Sequence, residues 1–425
     1  MLKRSIVAAM ILSGCIAMGS VPVRAERKSA VYKCGEEIRF KVAPEFIGEK
    51  YSVNDGVKNT AFKPVTGDII VKAERPGFIL VKVTSKKPIG KDKFALAGAA
   101  VEPEKIKPGQ ARPADFDSYW EGELKQMRTN KMEVISKTPV PADKLPANKF
   151  SSQVMVWDVH VRQGDVEVSG FLAVPKDSVN KKASCPGILS FLGASKVTAE
   201  LPAAIRPAAL YKTICFNVNF HGLENVLNRR NSKITANRAK VRHYQYLKAD
   251  NRQEYAMRKI FLRTVLAADY IKTLPEYNGR LAVSGGSLGG CQSIVCAALV
   301  PEVQFCCATA SAMSSHFGAK SGNLTGWPNL FNNKFTPKGA DKVAPYFDVV
   351  NFASRIKCPV IMAVGFIDTT TPPASTYTAY NALTTKNRKM YHVVTGGHGP
   401  RLDSKETSVF SQGAKEFAEF MKNAR

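Results

Sequence analysis

The stretch RLAVSGGSLGGCQSIVCAALV, residues 280–300, sets Ser287 between two glycine pairs and flanks the knot with apolar runs. Four glycines in six positions carry a backbone entropy cost that a smooth strand-to-helix passage would not need. A bend too sharp for side chains two places before and two places after its apex does need them. RLAV reads as a buried strand and GCQSIVCAALV as an apolar helix, so Gly285-x-Ser287-x-Gly289 fits a nucleophile elbow. As bare letters the pattern is weak, since roughly one chain in seven of this length contains it by chance. The strand before it and the helix after it supply the specificity. The helix start also brings unpaired N–H groups and a positive dipole end to the place where an oxyanion would form.

A serine hydroxyl is a poor nucleophile at neutral pH and needs a base, which in turn needs an orienting carboxylate. Where the serine sits on such an elbow, the acid and then the histidine follow it in the chain. CPVIMAVGFIDTTTPP is a buried strand running into a loop, with Asp368 just past the strand's carboxyl end. KMYHVVTGGHGP is the next strand, with His398 in the glycine-rich loop after it. Asp368 could instead be a turn-forming residue and His398 a solvated one. Their order and their placement at strand ends favour the acid and base roles. Asp348, upstream of its strand, reads as a cap or a core neighbour, and His392, inside a strand run, as a packed residue rather than a catalytic one. His221 leaves another strand's carboxyl end and is a candidate for lining the pocket.

The chain around these motifs has 425 residues, 44% hydrophobic and 23% charged, enough for two or three folded domains and a large core. Residues 26–105 alternate apolar and charged positions between turn signals, as in EIRFKVAP and GFILVKVTSK, and predict a small all-β sandwich of the immunoglobulin-like kind. VEPEKIKPGQARP reads as a linker. From about residue 106 to 425 apolar strands alternate with helices. PADFDSYWEGELKQM, AELPAAIRPAALY and EYAMRKIFLRTVLAADYIKTL are the clearest helices. Strands buried on both faces and separated by helices predict an α/β domain built on a doubly wound, mostly parallel sheet. Ligands on such sheets bind at the carboxyl ends of the strands.

The first 25 residues carry Lys3 and Arg4, an apolar run and Val23-Arg24-Ala25, the pattern of a cleaved secretory signal peptide. Leu12-Ser13-Gly14-Cys15 offers the alternative of lipoprotein processing, with Cys15 lipidated. Either way a secreted or periplasmic location is expected, and no later segment is long and apolar enough to span a bilayer. The eight remaining cysteines sit mostly in apolar runs and do not look like a disulfide framework. No pair has metal-ligand spacing, so neither a metal nor another cofactor is expected. Lys and Arg outnumber Asp and Glu 61 to 35, for a net charge of +26, with a local surplus over residues 229–259. That charge suits a solvated surface or attraction to an acidic polysaccharide. Nucleic acid is not an expected partner, because no recognition motif is present.

Residues from about 111 to 425 resemble the acetyl xylan esterase/cephalosporin-C deacetylase family of α/β-hydrolases. The likeness is carried by RPADFDSYWEGELKQM, FLRTVLAADYIKTLPEYNGRLAVSGGSLGG, YFDVVNFASRIKCPVIMAVGFIDTTTPPASTYTAYNAL and the terminal GGHG. It implies an α/β-hydrolase fold, removal of acetyl groups from acetylated oligo- or polysaccharides, and a homo-oligomer. By resemblance Ser287, Asp368 and His398 are nucleophile, orienting acid and base. The backbone N–H groups of Leu288 and Ala194 are the expected oxyanion donors. Many relatives carry His-Gly-Tyr where this chain has Leu192-Gly193-Ala194, and Gln where it has Leu288, although only a backbone donor is required at either place. SGNLTGWPNLF also resembles relatives with an extra N-terminal β domain, and Trp327 in it is either a sugar platform or a core aromatic. A uronate-ester esterase or peptidase on the same fold, and a glycan-binding protein with a relic hydrolase domain, are the alternatives.

Overall fold

The computed structural model describes residues 22–89, 92–227, 232–399 and 408–423. Most of the expected signal segment, including Cys15, lies outside them. Nine strands form the main sheet: β1 (Glu133–Pro139), β2 (Val154–Gln163), β3 (Val166–Pro175), β4 (Cys185–Phe191), β5 (Ile214–Asn219), β6 (Tyr277–Gly286), β7 (Val303–Thr309), β8 (Val360–Gly365) and β9 (Arg388–Val393). Their order across the sheet is β9-β8-β7-β6-β4-β5-β3-β2-β1. Every pairing from β9 to β5 is parallel, and the three beyond β5 are antiparallel.

Successive residues of the central strands feed opposite faces, as the two-residue repeat of a strand requires. Leu189, Phe216 and Val283 join the core under helices α1 (Phe116–Arg128), α3 (Ala256–Lys272) and α4 (Leu288–Leu299). Their neighbours Ile188, Cys215 and Ala282 join the core under α2 (Leu201–Tyr211) and the helix Ala414–Asn423. Helix α1 buries Phe116, Tyr119, Trp120, Leu124 and Met127, the stripe its spacing predicts, and the Trp120 indole N–H donates to the Tyr346 carbonyl at 3.0 Å. All eight described cysteines are free thiols, six of them buried. Among the described residues no helix is long and apolar enough to cross a membrane.

The described residues of 23–101 form strands and turns, with one short 3-10 helix at Pro44–Phe46 and no α-helix. Val23–Ala25, Glu37–Val42 and Ile69–Lys72 make a three-stranded sheet; a five-stranded sheet centred on Gly77–Ile89 and Asp92–Val101 lies against it. Ile38, Phe40 and Ile69 share a core with Val81, Val83 and Ala97. Here the structure departs from the expected boundary at residue 26. Val23–Ala25 pairs with Phe40–Val42 and buries Val23 and Ala25, so the β structure begins inside the segment that the signal reading gave to the leader. Small and apolar residues suit a protease and a buried edge strand equally well.

The β unit rests on the nine-stranded sheet. Phe78 meets the Phe366 ring edge-on at 5.2 Å and Tyr377 at 5.8 Å, and Val364 and Ala374 join the same cluster. Nor is the expected linker a free tether. The Asn381 amide donates to the carbonyls of Pro103 and Ile106, both at 2.9 Å, and a Cβ on Gly109 would fall 1.8 Å from the Phe317 carbonyl oxygen.

Candidate active site

Strand β6 delivers the chain to the knot, and Ser287 turns it with φ 59° and ψ −123°, a conformation that side-chain-bearing residues rarely adopt. The bend is held from both sides. The Ser287 N–H donates to the Thr309 carbonyl at 2.9 Å, and its own carbonyl accepts from Ala312 and Cys291, both at 3.1 Å. The glycines are required by space. A Cβ on Gly285 would lie 2.5 Å from the backbone of Gly289, and one on Gly289 would lie 2.3 Å from the Phe191 carbonyl oxygen. The strand-to-helix context that the sequence supplied is therefore the reason for the glycine spacing.

Strand β8 ends at Gly365, and Asp368 follows in a tight loop, 3% exposed. Its Oδ1 accepts from the backbone of Thr370 at 2.8 Å and Thr371 at 2.9 Å, which fixes the carboxylate against its own loop. His398 sits in the loop after β9. Its Nδ1 is 2.8 Å from Asp368 Oδ2, and its Nε2 is 3.0 Å from Ser287 Oγ. Side chains separated by 111 and 30 positions thus form one hydrogen-bonded line at the carboxyl edge of the sheet. Such a line can move a proton from hydroxyl to imidazole while a carboxylate stabilises the cation that results.

A cavity of about 690 Å³ opens over Ser287 and His398. Ala194 lines it, with Gly193 beside Ser287: a Cβ on Gly193 would be 3.8 Å from the Ser287 Cβ. Leu288 begins α4 directly after the serine. Trp327 and Tyr244 form an aromatic wall, their ring centroids 6.2 Å apart, and Phe410 closes the side next to His398.

The profile of the acetyl xylan esterase (AXE1) family matches residues 100–413. The chain belongs to that family. It is 29% identical over 376 residues to the acetyl esterase Axe7A of Xylanibacter ruminicola, across 83% of this chain and 81% of that one. Among solved structures it superposes on the acetyl xylan esterase from Paenibacillus sp. R4 with TM-score 0.59 at 18% identity, covering 76% of this chain and 98% of that one. Acetyl xylan esterase 1 from Thermoanaerobacterium sp. JW/SL YS485 gives 0.54 at 22%, covering 76% and 97%. At those identities the likeness speaks for the fold, which is that of the α/β-hydrolases. Membership of the AXE1 family makes the chain a carboxylic-ester hydrolase.

Within this AXE1 chain the remaining candidates fall as follows. Trp327 lines the Ser287 cavity. His221 does not; it lies behind Tyr244, ring centroids 4.7 Å apart, in a neighbouring cavity. Asp348 caps the short helix Val349–Ala353 by accepting from Val350, and also receives the N–H groups of Ser315 and His316. His392 is hydrogen-bonded through Nε2 to the Tyr377 hydroxyl and takes no part in the site. Tyr244 and Phe410 escaped the sequence reading, and so did a residue at the acid itself. Thr371 Oγ1 donates to Asp368 Oδ2 at 2.9 Å and lies 3.1 Å from His398 Nδ1. The threonine run after Asp368 was the available signal, but it reads equally well as turn chemistry.

Proposed function

We propose that this AXE1 protein is an exported serine esterase that removes acetyl groups from acetylated xylo-oligosaccharides or the parent polysaccharide through an acyl-enzyme. The observation that carries the reading is His398 bridging Ser287 at 3.0 Å and Asp368 at 2.8 Å. Ser287 Oγ attacks the acetyl carbonyl as its proton passes to His398 Nε2. Asp368 holds the imidazole with its other proton on Nδ1 and stabilises the cation. The tetrahedral oxyanion is held by the N–H groups of Leu288 and Ala194, and the start of α4 adds its dipole. The C–O bond to the sugar breaks, and the sugar oxygen leaves with the proton from His398. Water then attacks the acetyl-enzyme, giving one proton to His398. The bond to Ser287 Oγ breaks, that oxygen regains the proton from His398, and acetic acid departs, giving its remaining proton to water to become acetate.

Trp327 supports the sugar ring as an aromatic platform in this reading, since it lines the cavity beside Tyr244 as well as packing on the core. The division of the chain near residue 105 into an immunoglobulin-like β domain and a hydrolase domain belongs to the same proposal. The solved relatives above align over nearly their whole length yet leave roughly a quarter of this chain unmatched. Release of acetate from acetylated xylo-oligosaccharide, by wild type and by Ser287→Ala, tests the function. Acetate from the wild type and none above background from the folded variant is the expected result. Equal release by both contradicts it.

A further inference from the structure

Tyr244 is a shared wall. One side of it faces Trp327 and the Ser287 cavity; the other faces His221 and a second cavity of about 430 Å³. Five cations line the second cavity, Lys240, Arg242, Arg258, Lys259 and Arg263, against the carboxylates of Asp165 and Glu254. Pairing leaves an imbalance. Arg258 is neutralised by the buried Glu123 at 2.5 Å, Lys259 by Asp165 at 3.3 Å, and Glu254 is 3.9 Å from Lys248. Among the described residues no carboxylate lies within ion-pair distance of Lys240, Arg242 or Arg263.

Arg263 is the informative one, because it is half-buried rather than solvated. Its Nε donates to the Glu167 carbonyl at 2.6 Å and its Nη1 to the Phe220 carbonyl at 3.1 Å. These bonds fix the guanidinium without cancelling its charge, and burial pushes its pKa down to about 10. Beside it His221 is 7% exposed, and its Nε2 has no hydrogen-bond partner. Burial and the neighbouring charge of Arg263 keep this imidazole neutral, its pKa lowered to about 3. A half-buried cation with no carboxylate within ion-pair distance is costly, and Glu167 and Asp165 offset its charge only from farther away. An anion in the cavity can accept from the free edge of the guanidinium, while His221 Nε2 stays enclosed behind Tyr244. The planar fork of an arginine matches a carboxylate in particular.

We propose that this second cavity is a subsite for the carboxylate of an acidic sugar residue borne by the same acetylated glycan whose ester lies at Ser287. The proposal rests on the esterase reading above and adds a substrate class to it. It also gives the net charge of +26 a local use, drawing an acidic polymer to the rim of the site.

The test compares kcat/KM for three acetylated xylo-oligosaccharides of equal length: neutral, bearing one uronate branch, and bearing one sulfate. Wild type should prefer the uronate form, and raising salt from ~20 to ~500 mM should erode that preference while leaving the neutral substrate alone. In Arg263→Gln the uronate-to-neutral ratio should fall about tenfold. The ratio is internal to each preparation, so a partly folded variant still reports. Replacing the exposed Lys240 and Arg242 together by Gln should lower the ratio about threefold. Equal use of neutral and uronate substrates by wild type, or a ratio unchanged in Arg263→Gln, overturns the subsite and leaves the esterase reading standing. A preference for the sulfate form overturns the carboxylate assignment. Failure to release acetate from any of the three overturns the esterase reading itself.

Discussion

Thr371 Oγ1 stands 3.1 Å from Nδ1 of His398 and donates to the carboxylate that the same nitrogen faces. The hydroxyl closes a triangle with Asp368 and His398, 1% exposed to solvent. With the proton on Nδ1, Thr371 accepts part of that N–H while giving its own hydrogen to Asp368 Oδ2. It therefore holds the imidazole and the carboxylate in register without meeting the substrate.

Thr371→Val removes this hydroxyl with little change in volume. Loss of a hydrogen bond to a charged group is worth about 1.5–3 kcal/mol, so kcat should fall roughly 10- to 100-fold. KM should hold, because the residue does not line the cavity. Thr371→Ser should restore most of the rate, which a purely structural role of the methyl group would not predict.

Gly289 carries a second prediction. A Cβ there meets the Phe191 carbonyl oxygen at 2.3 Å and the Phe191 carbonyl carbon at 2.8 Å, both backbone atoms unable to yield cheaply. Gly289→Ala should cost about 1–3 kcal/mol of stability and should lower kcat by displacing the end of β4, which leads to Ala194. Gly122→Ala is the matched control. It lies on the exposed side of α1 with nothing within 4 Å of the added carbon, so activity should hold and thermal stability rise slightly.

The β unit has a mechanical role that truncating one side chain can expose. Phe78 packs on Phe366, two residues before Asp368, and a Cβ on the neighbouring Gly98 would lie 2.3 Å from the Phe366 carbonyl oxygen. Phe78→Ala should lower the thermal midpoint through a core loss of about 3–5 kcal/mol. It should also reduce kcat severalfold at temperatures where the protein remains folded, because the Asp368 loop loses its backing. Thermal scanning beside initial rates separates the two effects.

Asp368→Asn keeps the shape of the acid but removes its charge and allows the wrong imidazole tautomer. The expected loss in kcat is roughly 10⁴-fold with folding intact, read from steady-state rates on p-nitrophenyl acetate.

Sequence and structure met most closely where chemistry is written locally. Ser287 is legible because the elbow needs glycine at fixed offsets, and Asp368 and His398 because each leaves a buried strand at the functional edge. Thr371, Tyr244 and Phe410 were not legible, since their roles depend on which loops the fold brings together and their letters suit ordinary turns and cores. The strand Val23–Ala25 was not legible for a related reason: two apolar residues around an arginine suit a leader's end or a strand until their partners Phe40 and Val42 are known. His221 was placed near the pocket by its strand end, but the intervening Tyr244 ring comes from a segment 23 residues later and could not be foreseen from spacing.

The most direct measurement is covalent labelling of the native enzyme with a fluorophosphonate, followed by peptide mass mapping. An adduct on Ser287, formed at a rate that falls sharply in His398→Ala and matched by loss of esterase activity, is the result predicted. Retention of activity with Ser287 unlabelled, or inactivating adducts confined to another residue, would contradict the account.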